Sequence, residues 1–211
     1  MDKDSQEMRL FSYKMTTDSG FAPNPFFGKM TLATCKPQIR KYKRKGDWIA
    51  GFTSKELCCD EVGEECLIFL MQVEEKILIS QYYSHPDFQR KIPNLSREEF
   101  IYKSGDNIYE PEGDGFIQLK NPNHDTLKQQ IHDLSGKYVL ISTKFFYFGG
   151  NPLEIPESMR PEIPKGQSAH GSLTHDTERA AEFIKYITEK GVGVHSAPHQ
   201  WPGNDDSWKF Q

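Results

Sequence analysis

The sequence predicts a mixed α+β domain built around a small curved β-sheet or β-barrel, with long loops and a C-terminal helix. Three observations predict it. Residues 65–73 (ECLIFLMQV) and 138–148 (YVLISTKFFYF) are apolar runs of strand length, rich in branched and aromatic side chains. The 16 glycines and 13 prolines lie between such runs and cut the chain into short pieces joined by decorated loops. Residues 174–190 carry the best helix signal, because Ala180, Phe183, Ile184 and Ile187 fall at helical spacing.

Each element follows in chain order. Residues 8–15 alternate apolar and polar side chains and read as a first strand. Residues 16–27 form a loop, since Pro23 and Pro25 forbid regular pairing. Residues 30–34 are a short strand or turn. Lys36-Pro37 suits the start of a short helix, with proline in its first turn, and Gly46 stops it before a strand at 47–52. Residues 65–73 are a buried strand, and 74–83 a turn with a short helix or strand. Residues 82–93 form an irregular loop and 104–111 a polar loop, followed by a strand at 116–119. Residues 125–134 read as a short helix broken at Ser135-Gly136, and 138–148 as one strong strand. A glycine- and proline-rich loop at 149–166 leads to the final helix, which Asp176 or Thr177 can cap and Gly191 can end.

At 211 residues the chain suits one domain at 8–190, with a disordered terminus at 1–7 and a tail at 191–211 that bears two tryptophans. A net charge of −4 supplies no global field for nucleic acid, although the cationic run Lys36, Arg40, Lys41, Lys43, Arg44 and Lys45 is a local patch. No apolar run is long enough for a membrane span, and the polar start MDKDSQEM lacks the apolar centre of a signal peptide. The expected location is therefore the cytoplasm. Cys35, Cys58, Cys59 and Cys66 show no CxxC spacing and read as free thiols. His170, His175, His195 and His199 gather late in the chain, but their spacing forces no convergence, so no metal and no cofactor is expected.

The residues that stand out for chemistry lie mostly between Phe11 and Phe52. No GxSxG, P-loop, HExxH or deaminase pattern occurs. Cys35 sits between Thr34 and Lys36, whose ammonium would favour a reactive sulfur, so it is a candidate nucleophile. Asp47, Asp87, Asp106 and His170 are candidate acids or bases. Phe21, Trp48 and Tyr82 offer aromatic faces and Asn24 a polar edge, which is what a pocket for one base requires. Lys36 and Arg40 adjoin that loop and are the candidates for phosphate contact. The same rings also suit the core of a small domain, Trp48 most of all.

Three segments, Gly20-Phe21-Ala22-Pro23-Asn24-Pro25-Phe26, Thr31-Leu32-Ala33-Thr34-Cys35-Lys36-Pro37-Gln38-Ile39-Arg40 and Gly46-Asp47-Trp48-Ile49, resemble the second type of nucleotide-modification-associated domain. That is a bacterial and phage family placed around modified nucleic-acid bases. The resemblance continues through residues 82–93, Gly105-Asp106-Asn107-Ile108-Tyr109 and Phe146-Tyr147-Phe148-Gly149 to Ala169-His170-Gly171. Ser172 stands where the family pattern carries a basic residue, which weakens a phosphate role for the His170 turn. The layout from Gly46-Asp47-Trp48-Ile49 to Tyr82-Tyr83-Ser84-His85-Pro86-Asp87 is also similar to EVE-type domains of the PUA-like group, small barrels that bind one base.

The resemblance implies recognition of a modified base or nucleotide, free or within DNA or RNA, in a bacterial or phage modification or defence system. Two alternatives stay open: an enzyme that modifies or hydrolyses a nucleotide or base, and a protein-interaction component with no ligand. No membrane partner is expected, and a homodimer is left open.

Overall fold

Central strands that alternate between two apolar faces must be covered on both sides, and this chain supplies two covers. The computed structural model describes residues 8–210, so the terminus expected to be disordered at 1–7 lies outside the described residues. In chain order, β1 (Leu10–Lys14) leads to β2 (Met30–Leu32), α1 (Pro37–Tyr42), β3 (Trp48–Phe52) and a one-turn α2 (Lys55–Cys58). Next come β4 (Leu67–Gln72), β5 (Glu75–Leu78) and α3 (Ile79–Ser84), then 3-10 turns at Pro86–Lys91 and Phe100–Tyr102. The remainder is β6 (Tyr109–Glu112), β7 (Gly115–Gln118), α4 (Leu127–Leu134), β8 (Tyr138–Ser142), β9 (Phe145–Tyr147), β10 (Ser172–Leu173), α5 (Thr177–Thr188) and β11 (Gly193–Val194).

A mixed six-stranded sheet has the order β10-β1-β3-β4-β9-β11, with β1 parallel to β3 and β9 parallel to β11. A second sheet, β2-β8-β5, is antiparallel, and β6-β7 is a separate hairpin. Trp48, Ala50 and Phe52 on β3, with Leu67 and Leu70 on β4, face α5 through Ala180, Phe183, Ile184 and Ile187. The alternate residues Ile49, Phe69 and Met71 face Met30, Leu32 and Leu140 of the second sheet, and Ile39 of α1. The other face of that sheet, Val139 and Ile141, packs on Ile79, Tyr82, Phe88 and Tyr109. The order is therefore helix, sheet, sheet, and an outer layer of α3 and β6.

Two expectations are corrected. The strands do not close into a barrel: the six-stranded sheet ends at the two-residue strands β10 and β11, and the second sheet stacks across it as a layer. Residues 138–148 are not one strand but β8 and β9, which serve different sheets. The corner lies at Thr143 and Lys144, whose backbone N–H groups, with the Thr143 hydroxyl, donate to the Glu74 carboxylate. A carboxylate that collects these donors lets the chain leave one ladder and join another.

Local signals account for the helix ends. Pro37 opens α1, Thr126 and Gln129 form a capping box on α4, and the Asp176 side chain accepts from the Arg179 N–H at the start of α5. The segment after α5 is docked. The His195 N–H donates to the Tyr147 carbonyl and the Gln200 N–H to that of Asp18. Trp201 packs on Phe26 and Phe100.

Candidate active site

Cys35 follows β2 in a tight turn that the surrounding side chains hold from both sides. Cys35 and Lys36 both take left-handed backbone angles, φ 53° and 36°, which non-glycine residues adopt only when their surroundings impose them. The constraint is visible. The Cys35 N–H donates to Asp133 Oδ1 at 2.7 Å, and its carbonyl accepts from Arg40 Nε at 2.8 Å. Arg40 is wholly buried and also donates to the carbonyls of Tyr138 and Asp133. Its guanidinium lies against Gly136, where a Cβ would approach within 2.7 Å. Only glycine at 136 leaves that space.

The cysteine sulfur meets a histidine from a distant part of the chain. His124 Nε2 lies 3.5 Å from Cys35 Sγ, and His124 Nδ1 lies 2.8 Å from Asp133 Oδ2. Asp133 projects from the last turn of α4 and is fully buried; its Oδ2 also accepts from the Tyr109 hydroxyl at 2.7 Å. Burial alone would lower the His124 pKa, but its hydrogen bonds to Asp133 and Cys35 outweigh that and hold it up to about 9. Tyr109 is pushed far up by burial and by Asp133, so it stays a neutral donor. A nucleophile, a base beside it and an oriented carboxylate behind the base is the arrangement by which thiol enzymes activate sulfur.

Two cavities meet at Cys35. One, of about 230 Å³, is lined by Cys35, His124, Phe21, Asn123, Gln129 and Gln200, among others. The Phe21 ring meets the His124 ring edge-on at 4.9 Å. The other is an open groove of about 590 Å³ beside Lys36, Gln38, His132 and Gln167. Hollows of about 530, 510 and 300 Å³ lie elsewhere, but none of them is lined by any member of the Cys35, His124 and Asp133 set.

Donor atoms of Cys35, His124 and Asp133 lie within 4.8 Å of one another, a spacing that can also hold a metal ion. The existing bonds fit a proton-transfer set better. Both Asp133 oxygens already accept from Cys35, Tyr109 and His124, and His124 directs one ring nitrogen to each partner.

The sequence candidates divide sharply. Cys35 and Phe21 line the smaller cavity, and Cys35 and Lys36 line the groove. Arg40 stands behind the turn as a buried strut. Trp48 is buried between the first sheet and α5. Asn24 is fully buried, donating to the carbonyls of Gly20 and Ser104 and accepting from Lys91 Nζ at 2.6 Å. Tyr82 is buried, and its hydroxyl donates to Asp106, which also accepts from Thr31. Within this polar core burial pulls Lys91 down and pushes Asp106 up from their ordinary values. Asp47 accepts from Arg9 and from the Arg44 N–H. Asp87 is exposed and pairs with Lys29, and His170 is exposed beside the Tyr42 ring.

His124 and Asp133 escaped sequence reasoning. They lie 89 and 98 residues from Cys35, and no local pattern joins them. The available signal was weak: one cysteine with cationic neighbours requires a histidine somewhere in the fold, not nearby in the chain.

A family model described as nucleotide modification associated domain 2 matches residues 7–205, nearly the whole chain. No curated protein and no solved structure matches it.

Proposed function

The chain belongs to the nucleotide modification associated domain 2 family, and we propose that it is a thiol-dependent enzyme acting on a nucleotide or base, with Cys35 as nucleophile. Membership ties the chain to nucleotide modification; it does not choose between recognition and turnover. The observation that supports turnover is the Cys35–His124–Asp133 arrangement at the junction of two cavities.

The step balances as follows. His124, held protonated by Asp133 and Cys35, pairs with the Cys35 thiolate, and that sulfur forms a bond to an electrophilic carbon of the base. The π electrons displaced from that carbon move to its neighbouring atom, which takes the proton from His124. Asp133 orients the ring and stabilises the imidazolium throughout. Reversal of the addition, with the neighbouring atom's proton returning to His124, breaks the C–S bond and regenerates Cys35; where a leaving group departs from the attacked carbon instead, the carbon stays on sulfur until water displaces it.

Intact-protein mass spectrometry during incubation with nucleosides, nucleotides and modified bases tests the proposal. An adduct on the Cys35 peptide of the wild type, absent in Cys35→Ser with an unchanged melting temperature, is the expected result. Turnover that survives in Cys35→Ser refutes the nucleophile. Phe21 and the amides of Asn123, Gln129 and Gln200 around the small cavity also suit recognition of a modified base without turnover. Recovery of a bound nucleotide unchanged from the wild type would favour that second reading.

A further inference from the structure

We infer that the substrate spans Cys35, with a phosphate seated at Lys36 in the open groove and only the reacting fragment inside the His124 cavity. This inference rests on the nucleotide reading above and names the substrate's second anchoring group.

Size gives the first argument. A cavity of about 230 Å³ falls below the ~300 Å³ at which pockets begin to hold a whole small ligand, whereas the groove of about 590 Å³ lies well within that range. Cys35 lines both, so a molecule reacting at its sulfur has room for one fragment on the His124 side. The remainder extends along Lys36, Gln38, His132, Gln167 and Ser168.

Charge gives the second. Among the described residues no Asp or Glu lines the groove, whereas Lys36 does. The partners of Lys36 Nζ are neutral: the Lys14 carbonyl at 3.5 Å, Gln167 Oε1 at 3.1 Å and the face of the Tyr13 ring at 4.6 Å. An ammonium held in place by neutral groups keeps its charge available, and its side-chain freedom is already spent. The lysines at exposed ion pairs differ, since Lys29 and Lys55 each face a carboxylate. Gln38, Gln167 and Ser168 add side-chain donors for further phosphate oxygens. Burial lowers the Lys36 pKa from its ordinary value, and a bound phosphate dianion would oppose that shift.

Phosphate has two sources here, the monoester of a free nucleotide and the diester of a polynucleotide, and one protection experiment separates them. Alkylation of Cys35 by iodoacetamide, a neutral probe, is followed on the Cys35 peptide in the presence of inorganic phosphate, nucleosides, their 5′-monophosphates and a short single-stranded oligonucleotide. The monophosphates are expected to protect at concentrations about tenfold below those of the matching nucleosides, the effect of one charge-assisted hydrogen bond. Lys36→Met should abolish that difference when each protein's protection is measured against its own unprotected alkylation rate, which is expected to fall with the loss of the ammonium beside Cys35. Stronger protection by the oligonucleotide assigns the diester, and stronger protection by the monophosphates the free nucleotide. Equal protection by nucleosides and nucleotides, no protection by any phosphate-bearing compound, or an undiminished difference in Lys36→Met overturns the inference. The readout is binding, not turnover. Lys36-dependent protection without any Cys35 adduct would refute the nucleophile and leave the phosphate site standing; adducts without phosphate dependence would do the reverse.

Discussion

Replacing Asp133 by Asn removes one negative charge from the centre of the site and changes little else in shape. The consequence can be worked from the structure. His124 titrates at about 9 rather than at its ordinary 6.5, even though burial acts to lower it. A difference of that size corresponds to about 3 kcal/mol of preference for the protonated ring in the folded state. Because the folded pKa is the higher one, that stabilisation is fully present below pH 6.5 and is lost as pH rises through about 9. In Asp133→Asn the His124 pKa should fall to about 6.5 or below, since burial then acts with less opposition. A pH-independent loss of about 1–3 kcal/mol should accompany it, because one amide cannot accept from Cys35, Tyr109 and His124 as the carboxylate does. The assay is a carbon-13 NMR titration of the histidine Cε1 signals, with His124→Gln assigning the resonance, and urea unfolding of both proteins at low and high pH. The stability gap between wild type and variant should narrow toward alkaline pH. A His124 that titrates near 6.5 in the wild type, or that moves by less than about half a unit in the variant, would refute the electrostatic argument.

Two further predictions separate architecture from chemistry. Asn24→Ala should cost about 2–4 kcal/mol in urea unfolding, because it removes a buried amide with several partners and strands the Lys91 ammonium that donates to it. Unchanged stability with lost ligand binding would instead return Asn24 to the site. Trp48→Ala should cost about 3–5 kcal/mol through the cavity left between the first sheet and α5, while protection of Cys35 by ligand stays as in the wild type once the protein is folded.

Much of the architecture was legible because it is encoded locally. Alternation over residues 8–15, the stop at Gly46 before 47–52 and the apolar run at 65–73 located β1, β3 and β4 to within two residues at either end. Helical spacing and an acidic cap located α5 to within three residues at either end, with Asp176 as the cap. Two-residue strands such as β10 and β11 carry no pattern long enough to read, and the single run at 138–148 concealed a corner because β8 and β9 are both apolar and strand-favouring. That corner is made by Glu74, a residue remote in sequence.

The site was legible in one of its three members. Cys35 was visible from its cationic neighbours and the strained, turn-rich segment around it. The aromatic and polar residues of the same segment were visible as unusual, but their partners were not. Asn24 and Tyr82 serve a buried network with Lys91 and Asp106, and Arg40 braces the Cys35 turn from behind. A costly residue in a loop signals that something specific must be satisfied; whether a ligand or the protein's own backbone does so depends on what packs against it.

By itself, then, the sequence determined the family, the apolar runs of the central strands, the caps of α4 and α5 and Cys35 as a candidate, all of which reside in side-chain identity or in patterns a few residues long. Tertiary structure alone decided that the sheets stack instead of closing, that Asn24 and Tyr82 are interior, and that His124 and Asp133 converge on Cys35. Those outcomes depend on contacts made across some 90 residues of chain, and a hydrogen bond of that reach leaves no period or spacing in the sequence that joins its ends.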